Sequence, residues 1–541
     1  MKVLGLHKDP WHNTGAAVVY ENADGVEFAN LAEERADRKK DSREFPEQST
    51  RALMKQCGVE DVNEFDLIVM DHIRDDSSWR NDHLPGKPCS IDNFLADVDP
   101  AKIRIINHHL AHAYNVFYSS GFDSAAVLIV DGRGSQQETQ SLYRASIDGG
   151  IELLASTDTI GIGLMYAAVT QAIGFKLLQE GKTMGLAPYG RNYPKQFLNF
   201  SGEYDGIVTS YADLCEDGSY DLKVDLGTLA DFEAKAAVAF EAQEECERAY
   251  LHLAQYAKEM TGEDNLCISG GVALNSVANY AVLQAGIFDQ LFVNPAASDT
   301  GIPLGCALWG YHTELARPRT YSGITPYLGP SYSEDEVRTA VESFDGYDVV
   351  SENAFETAAE WLCQNKIIGC FQGRSEMGPR ALGNRSILMS PCVAENKDVL
   401  NARVKFREAF RPFAPAILDE RRSDYFVIDC DSPYMLLVPD VVEERKNEVP
   451  ATTHVDGTGR LQTVTEEFNP RYYKMIQTFA EVTGTPVLLN TSFNVAGEPI
   501  VESPEDAIRC FLGTDIDALL IEDYFLIKRT DGSAPAVEPQ R

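Results

Sequence analysis

Short apolar runs separated by polar, glycine-containing loops dominate the first part of the chain. Val3–Leu6 is apolar and β-branched and predicts a strand, followed by a polar loop from Lys8 to Gly15. Ala16–Tyr20 predicts a second strand, Asn22-Ala-Asp-Gly25 a hairpin turn, and Val26–Leu31 a third strand. The same order then returns. Ala125–Val130 reads as a buried strand, Asp131-Gly-Arg-Gly-Ser-Gln-Gln137 as a loop, and Gln140–Ala145 as a strand. Asp148-Gly-Gly150 is a turn, Ile151–Ala155 a third strand, and Gly163–Ile173 a helix.

Strand, polar loop, strand, DG turn and strand, twice over, is an internal duplication. Two such halves with a cleft between them describe the actin/hexokinase-like (ASKHA) nucleotide-binding fold. Apolar residues at three- and four-residue steps predict a long helix over Lys235–Met260, stopped by Thr261-Gly262. The strand Leu266–Ser269 then feeds Gly270-Gly271 and a helix from Ala273. That turn offers backbone donors to a phosphate or ribose, and equally serves as a plain structural turn. Proline and glycine crowd the stretch Arg317–Ser333, which predicts a boundary between domains 1–335 and 336–541. Beyond it the strands Ile367–Phe371, Ala416–Leu418, Tyr434–Val438, Pro486–Leu489 and Ala518–Ile521, with a helix over Tyr472–Thr483, predict a mixed α/β domain. Gly532–Arg541 reads as a frayed tail.

Composition narrows the function. A chain of 541 residues with 47 basic and 83 acidic side chains carries a net charge of −36, which repels nucleic-acid backbones and excludes a general nucleic-acid binder. The eleven cysteines form no CxxC pair, so neither a zinc module nor a dithiol redox site is expected, and reduced, mostly buried thiols are. The start lacks a signal-peptide core and no apolar run approaches about 18 residues, so a cytoplasmic protein without membrane association is expected.

Against that acidic background, four groups of residues stand out. His108-His-Leu-Ala-His112 places His108 and His112 one helical turn apart, a spacing that suits two imidazoles on one metal ion and also occurs in structural pairs. Asp131 closes the buried strand ending at Val130, and Asp299 follows the strand Leu291–Val293; with the histidines they make a set for a six-coordinate iron- or manganese-like ion. Glu180-Gly-Lys-Thr-Met-Gly-Leu-Ala-Pro-Tyr-Gly190 reads as a glycine loop offering Lys182 to a phosphate, without Walker A spacing. Arg380 and Arg385 in a glycine-rich loop, with Lys405, Arg407 and Arg411, concentrate cations suited to an anionic small molecule or, failing that, to salt bridges. Asn490 and Ser492, in Leu489-Asn-Thr-Ser-Phe-Asn494, read as a ligand loop or as a side-chain-capped turn.

Taken together, HHLAHA, VDGRG, EGKTMGLAPYG, SGGVALN, PAASDTGIPLG, EMGPRALGNRSIL, VKFREAFRPFAPAIL and LNTSFN, in that order, resemble the NodU/CmcH-type O-carbamoyltransferases of nodulation-factor and antibiotic tailoring. The resemblance implies an actin-like N-terminal domain and a YrdC-like C-terminal domain. Carbamoyl phosphate and ATP, with Mg2+, would give carbamoyl-AMP in the latter. The adenylate would pass through an internal channel to the metal site, where the hydroxyl of a small natural product accepts the carbamoyl group.

Carried onto this chain, the resemblance makes His108, His112, Asp131 and Asp299 ligands of a divalent ion, iron by likeness. Arg380, Lys405 and Arg411 would bind carbamoyl phosphate, joined by Arg385, Arg407, Asn490 and Ser492. Lys182, Gly132, Gly270, Gly271 and Asn275 would line the nucleotide site. His12 would be the general base toward the acceptor hydroxyl, a role suited to an imidazole. The family usually has His-Asp where this chain has His12-Asn13, and tends to an acidic residue where Ser135 stands. A monomer or homodimer is expected. A tRNA threonylcarbamoyladenosine-type transferase, a hydrogenase-maturation carbamoyltransferase and an actin/hexokinase-class sugar kinase compete, but lack respectively a basic stripe, CxxC zinc modules and a use for HxxxH beside the arginine cluster.

Overall fold

A computed structural model describes residues 1–529 apart from 9–12, 73–93, 194–196, 203, 218–219, 225, 227–228, 230 and 351. It divides into two compact units. The first holds Met1–Asp37 and Asp41–Thr325, and the second Arg38–Lys40 and the chain from Pro326. The change of unit falls inside the proline- and glycine-rich connector, earlier than the expected border at 335/336.

In the first unit, β1 (Lys2–His7), β2 (Gly15–Glu21), β3 (Val26–Ala32), β4 (Leu67–His72) and β5 (Ile103–Asn107) form a sheet of order β3-β2-β1-β4-β5. A second sheet, from β6 (Ser124–Val130), β7 (Gln140–Ser146), β8 (Gly150–Thr157), β9 (Asn265–Ser269) and β10 (Gln290–Val293), has the order β8-β7-β6-β9-β10. Position by position the two are the same sheet. An antiparallel meander of three strands is extended from its first strand by two parallel ones. The expected duplication of the actin/hexokinase class is therefore present in strand order and strand sense.

Helices join the halves. His108–Ser120 starts straight from β5 and packs against Ile302–Trp309, where a Cβ on Gly305 would lie 1.9 Å from the Ala111 carbonyl oxygen. Only a glycine allows that approach. The long helix spans Phe232–Thr261, capped by the Asp231 side chain on the Ala234 amide and ended by Gly262 in the left-handed region.

The second unit is built on one eight-stranded mixed sheet: β11 (Tyr347–Val350), β12 (Ile368–Phe371), β13 (Arg385–Met389), β14 (Ala414–Leu418), β15 (Gln462–Val464), β16 (Val487–Ser492), β17 (Ala518–Ile521) and β18 (Tyr524–Lys528). Their order is β11-β18-β17-β12-β13-β16-β14-β15. Neighbours along a strand serve opposite faces, as the pleat demands. Ile367, Leu519 and Ile387 face the helix Pro504–Leu512 through Ile508 and Phe511. Ile368, Leu520 and Leu388 face Ala354–Cys363 and Pro470–Thr483 through Leu362, Ile476 and Phe479.

Two expectations fail here. Tyr434–Val438 is not a strand: Pro433 and Pro439 bracket it and Met435 has φ +58°, which no ladder accepts. Residues 180–190 are not a loop but the helix Glu180–Leu186 followed by a 3-10 turn, Ala187–Gly190. Among the described residues, no helix is long and apolar enough to cross a membrane.

Candidate metal centre and cation cluster

Apart from His112, which lies one turn into the helix from His108, the residues of the first-unit centre sit where strands deliver their carboxyl ends. His7 ends β1, Asp71 lies one residue from the end of β4, His108 follows β5, Asp131 follows β6, Ser269 ends β9 and Asp299 follows β10. Ligand sites gather at strand carboxyl ends in open α/β sheets, and the duplication points both sets of ends at one place.

His108, His112, Asp131 and Asp299 are all buried, and one donor atom from each lies within 4.8 Å of the others. Asp131 Oδ2 is 3.3 Å from His108 Nε2 and 3.1 Å from His112 Nε2; Asp299 Oδ1 is 3.6 and 3.5 Å from the same two nitrogens. The far sides of the ligands are tied down. His112 Nδ1 meets the Ser269 hydroxyl at 3.2 Å, and that hydroxyl donates to the Ala297 carbonyl, so it must accept from the imidazole. His108 Nδ1 donates to Asp71 Oδ2 at 2.7 Å. Both rings therefore carry their proton on Nδ1 and offer an Nε2 lone pair to the centre.

Asp131 Oδ1 accepts from the Gly132 and Gly271 amides at 2.7 and 3.0 Å, leaving Oδ2 for the centre. Burial works against the Asp131 carboxylate, yet the two imidazoles facing its Oδ2 outweigh it and hold its pKa well below the ordinary carboxylate range. Two imidazoles and two carboxylates, dry and preoriented, fit a six-coordinate divalent ion with positions left over for a ligand.

The departures from the family pattern find places nearby. Ser135 Oγ accepts from the Asn107 side chain at 3.0 Å and from the His108 amide at 3.1 Å, so it caps the start of the ligand helix. Asn13 adopts φ +60°, a conformation asparagine tolerates. His12 lies outside the described residues.

The expected nucleotide-site residues divide. Gly132 and Gly271 give their amides to Asp131. Gly270 has φ +96°, and a Cβ there would meet the Val130 carbonyl oxygen at 2.2 Å. Gly270→Ala should therefore displace the Asp131 strand end, losing about 2–4 kcal/mol of unfolding free energy; urea titration measures it. Asn275 caps the helix Ser276–Gln284 and pairs with Gln243, a structural use of its amide. Lys182 belongs to a helix, its ammonium 5.5 Å from the Phe175 ring centroid.

In the second unit the loop between β12 and β13 is organised by one carboxylate. Glu376 Oε1 accepts from the Leu382, Asn384 and Arg385 amides at 2.7, 2.7 and 3.1 Å. From that loop Arg380 joins Arg407, Arg411 and Arg460 in one electrostatic cluster. Burial lowers Arg380 to about 10, helped by Arg411, and lowers Arg407 to about 9, again helped by Arg411. Arg460 is pushed down by burial and then by Arg380, Arg407 and Arg411. The Nε atoms of Arg380 and Arg460 are buried with no hydrogen-bond partner among the described residues. Like charges gathered in this way leave room for a multiply charged anion. Arg460 escaped the sequence reading because it stands alone, about 50 residues beyond the nearest cluster member; only its position ahead of β15 brings it there.

The remaining cations differ. Lys405 Nζ is enclosed by the Ser492 carbonyl, the Asn494 carbonyl and the Asn494 Oδ1 at 2.8, 2.9 and 2.7 Å, with Ser492 Oγ at 3.3 Å. Arg385 is fully buried, stacks 3.6 Å over Phe371 and donates Nη1 to the carbonyls of Gln372, Gly373 and Asn384. Through Nη1 it clamps the loop ends, while its Nη2 is buried with no hydrogen-bond partner among the described residues. Asn490 donates to the Ala381 carbonyl and to Gln462, and its Oδ1 is buried with no hydrogen-bond partner among the described residues.

Residues 86–308 match the family described as Carbamoyltransferase N-terminus, and residues 359–528 match Carbamoyltransferase C-terminus. Nodulation protein NolO of Bradyrhizobium diazoefficiens is 38% identical, over 78% of this chain and 79% of that protein. Nodulation protein NolNO of Sinorhizobium fredii is 35% identical, over 95% of this chain and 79% of its own length. An uncharacterised protein of Synechocystis is also 35% identical, over 98% of this chain and 96% of that one.

Proposed function

Because this chain belongs to the carbamoyltransferase family, and so moves a carbamoyl group to a hydroxyl, we propose that it does so in two ATP-dependent stages, one in each unit. The observation that carries this reading is the pair of unlike centres. A buried two-histidine, two-aspartate set occupies the first unit, and a cluster of arginines with unpaired donors occupies the second.

In the second unit, Arg380, Arg407, Arg411 and Arg460 bind carbamoyl phosphate and the phosphates of ATP, and Lys405 holds the strand end at Ser492 beside them. Carbamoyl phosphate, ATP and one water give carbamoyl-AMP, phosphate and pyrophosphate. The cations offset the charge that collects on the departing groups. Desolvation there keeps a labile carbamoyl group from water.

The adenylate then reaches the first unit. A divalent ion held by His108, His112, Asp131 and Asp299, iron by family likeness, supplies Lewis-acid stabilisation of the leaving phosphate when bound. The acceptor hydroxyl, on a small hydroxylated natural product, loses its proton to His12 as it attacks the carbamoyl carbon, and AMP departs. The acidic surface agrees with a small-molecule acceptor rather than a tRNA.

Pyrophosphate release from ATP on addition of carbamoyl phosphate, without any acceptor, is the expected result. ADP formation instead would replace the proposal with a kinase.

A further inference from the structure

A histidine that belongs to none of the site motifs sits behind the metal centre. His7, at the carboxyl end of β1, is completely buried. Its Nδ1 donates to Asp71 Oδ1 at 2.7 Å, while the other oxygen of the same carboxylate accepts from His108 Nδ1 at 2.7 Å. Its Nε2 has no hydrogen-bond partner among the described residues and points to Asp299, 3.9 Å from Oδ2. Asp299 turns its other oxygen, Oδ1, toward His108 and His112. His7 and Asp71 thus form a hydrogen-bonded chain behind the centre, from His7 through Asp71 to His108.

We propose that His7 and Asp71 are positioning residues that set the ion-binding form of His108. The inference rests on the metal reading above and deepens it.

The argument is one of donors and acceptors. An imidazole with its proton on Nε2 has no lone pair for an ion there. A carboxylate accepts only, so Asp71 forces the His108 proton onto Nδ1. A carboxylate with one bond would be able to rotate about its last torsion, which is broad. The donor from His7 pins the second oxygen, so the bond to His108 keeps its direction. Since His7 is fully buried, it meets neither acceptor nor adenylate, and its part is to hold other residues.

Metal-stripped protein titrated with Co2+ against a chromophoric chelator tests this, with the visible Co2+ spectrum reporting ligand geometry. Asp71→Asn should weaken Co2+ binding about 10–100-fold, because an amide supplies one acceptor where two imidazoles need two. His7→Leu should weaken it by a similar factor and shift the spectrum. His7→Gln, which keeps a donor toward Asp71, should restore most of the affinity. Thermal melting of the metal-stripped variants, expected to match the parent, shows that the fold is kept; should His7→Leu not fold, the Asn and Gln variants still decide. Parent-like binding in Asp71→Asn, or equal losses in His7→Leu and His7→Gln, overturns the positioning role. A parent protein that binds no Co2+ overturns instead the metal reading on which it rests.

Discussion

Arg380→Ala and Arg460→Ala should each lower the kcat/KM of pyrophosphate release, driven by ATP and carbamoyl phosphate, by about 100–1,000-fold. That corresponds to about 2.7–4 kcal/mol of lost transition-state stabilisation. The expected size follows from their placement: each has a buried Nε without a partner among the described residues, so a ligand oxygen is the group that would satisfy it. The same variants should leave the ligand-free protein no less stable, since each removes one cation from a cluster whose members push one another's pKa down. A coupled pyrophosphate assay and a denaturant titration read the two effects. Loss of activity together with loss of stability would mean that the arginines are structural.

Asp131→Asn should strip the first unit of its ion and abolish acceptor carbamoylation, while acceptor-independent pyrophosphate release persists. Asparagine still offers one oxygen to the Gly132 and Gly271 amides, which Asp131 Oδ1 now accepts. The local fold should therefore survive. What is lost is the second carboxylate oxygen, 3.1 and 3.3 Å from the two imidazole nitrogens, where an amide nitrogen cannot ligate. Elemental analysis should find the bound ion reduced to background. Unaltered ion content would remove Asp131 from the ligand set, and simultaneous loss of pyrophosphate release would contradict the division of work between the units.

The contrast between these two centres is also a contrast in what a linear chain reveals. Alternating apolar runs, DG turns and the recurrence of one strand order were enough to foresee two matching sheets, because strand periodicity and turn chemistry are local properties. His108 and His112 could be paired from spacing, since a helix puts positions four apart on one face. The actin-like duplication, the two-histidine, two-aspartate set and the arginines near 380–411 were all readable in the sequence.

Other features were settled only by the tertiary structure. His7, Asp71 and Arg460 have no motif around them, and they matter because parallel strands and loop returns bring their ends together. The same holds in reverse. Gly132, Gly271 and Asn275 look like ligand contacts in a string of letters, yet their amides meet protein acceptors. A residue type and its spacing state which hydrogen bonds are possible. Which of them are already satisfied depends on groups up to hundreds of positions away, and burial decides whether a leftover donor must find a ligand.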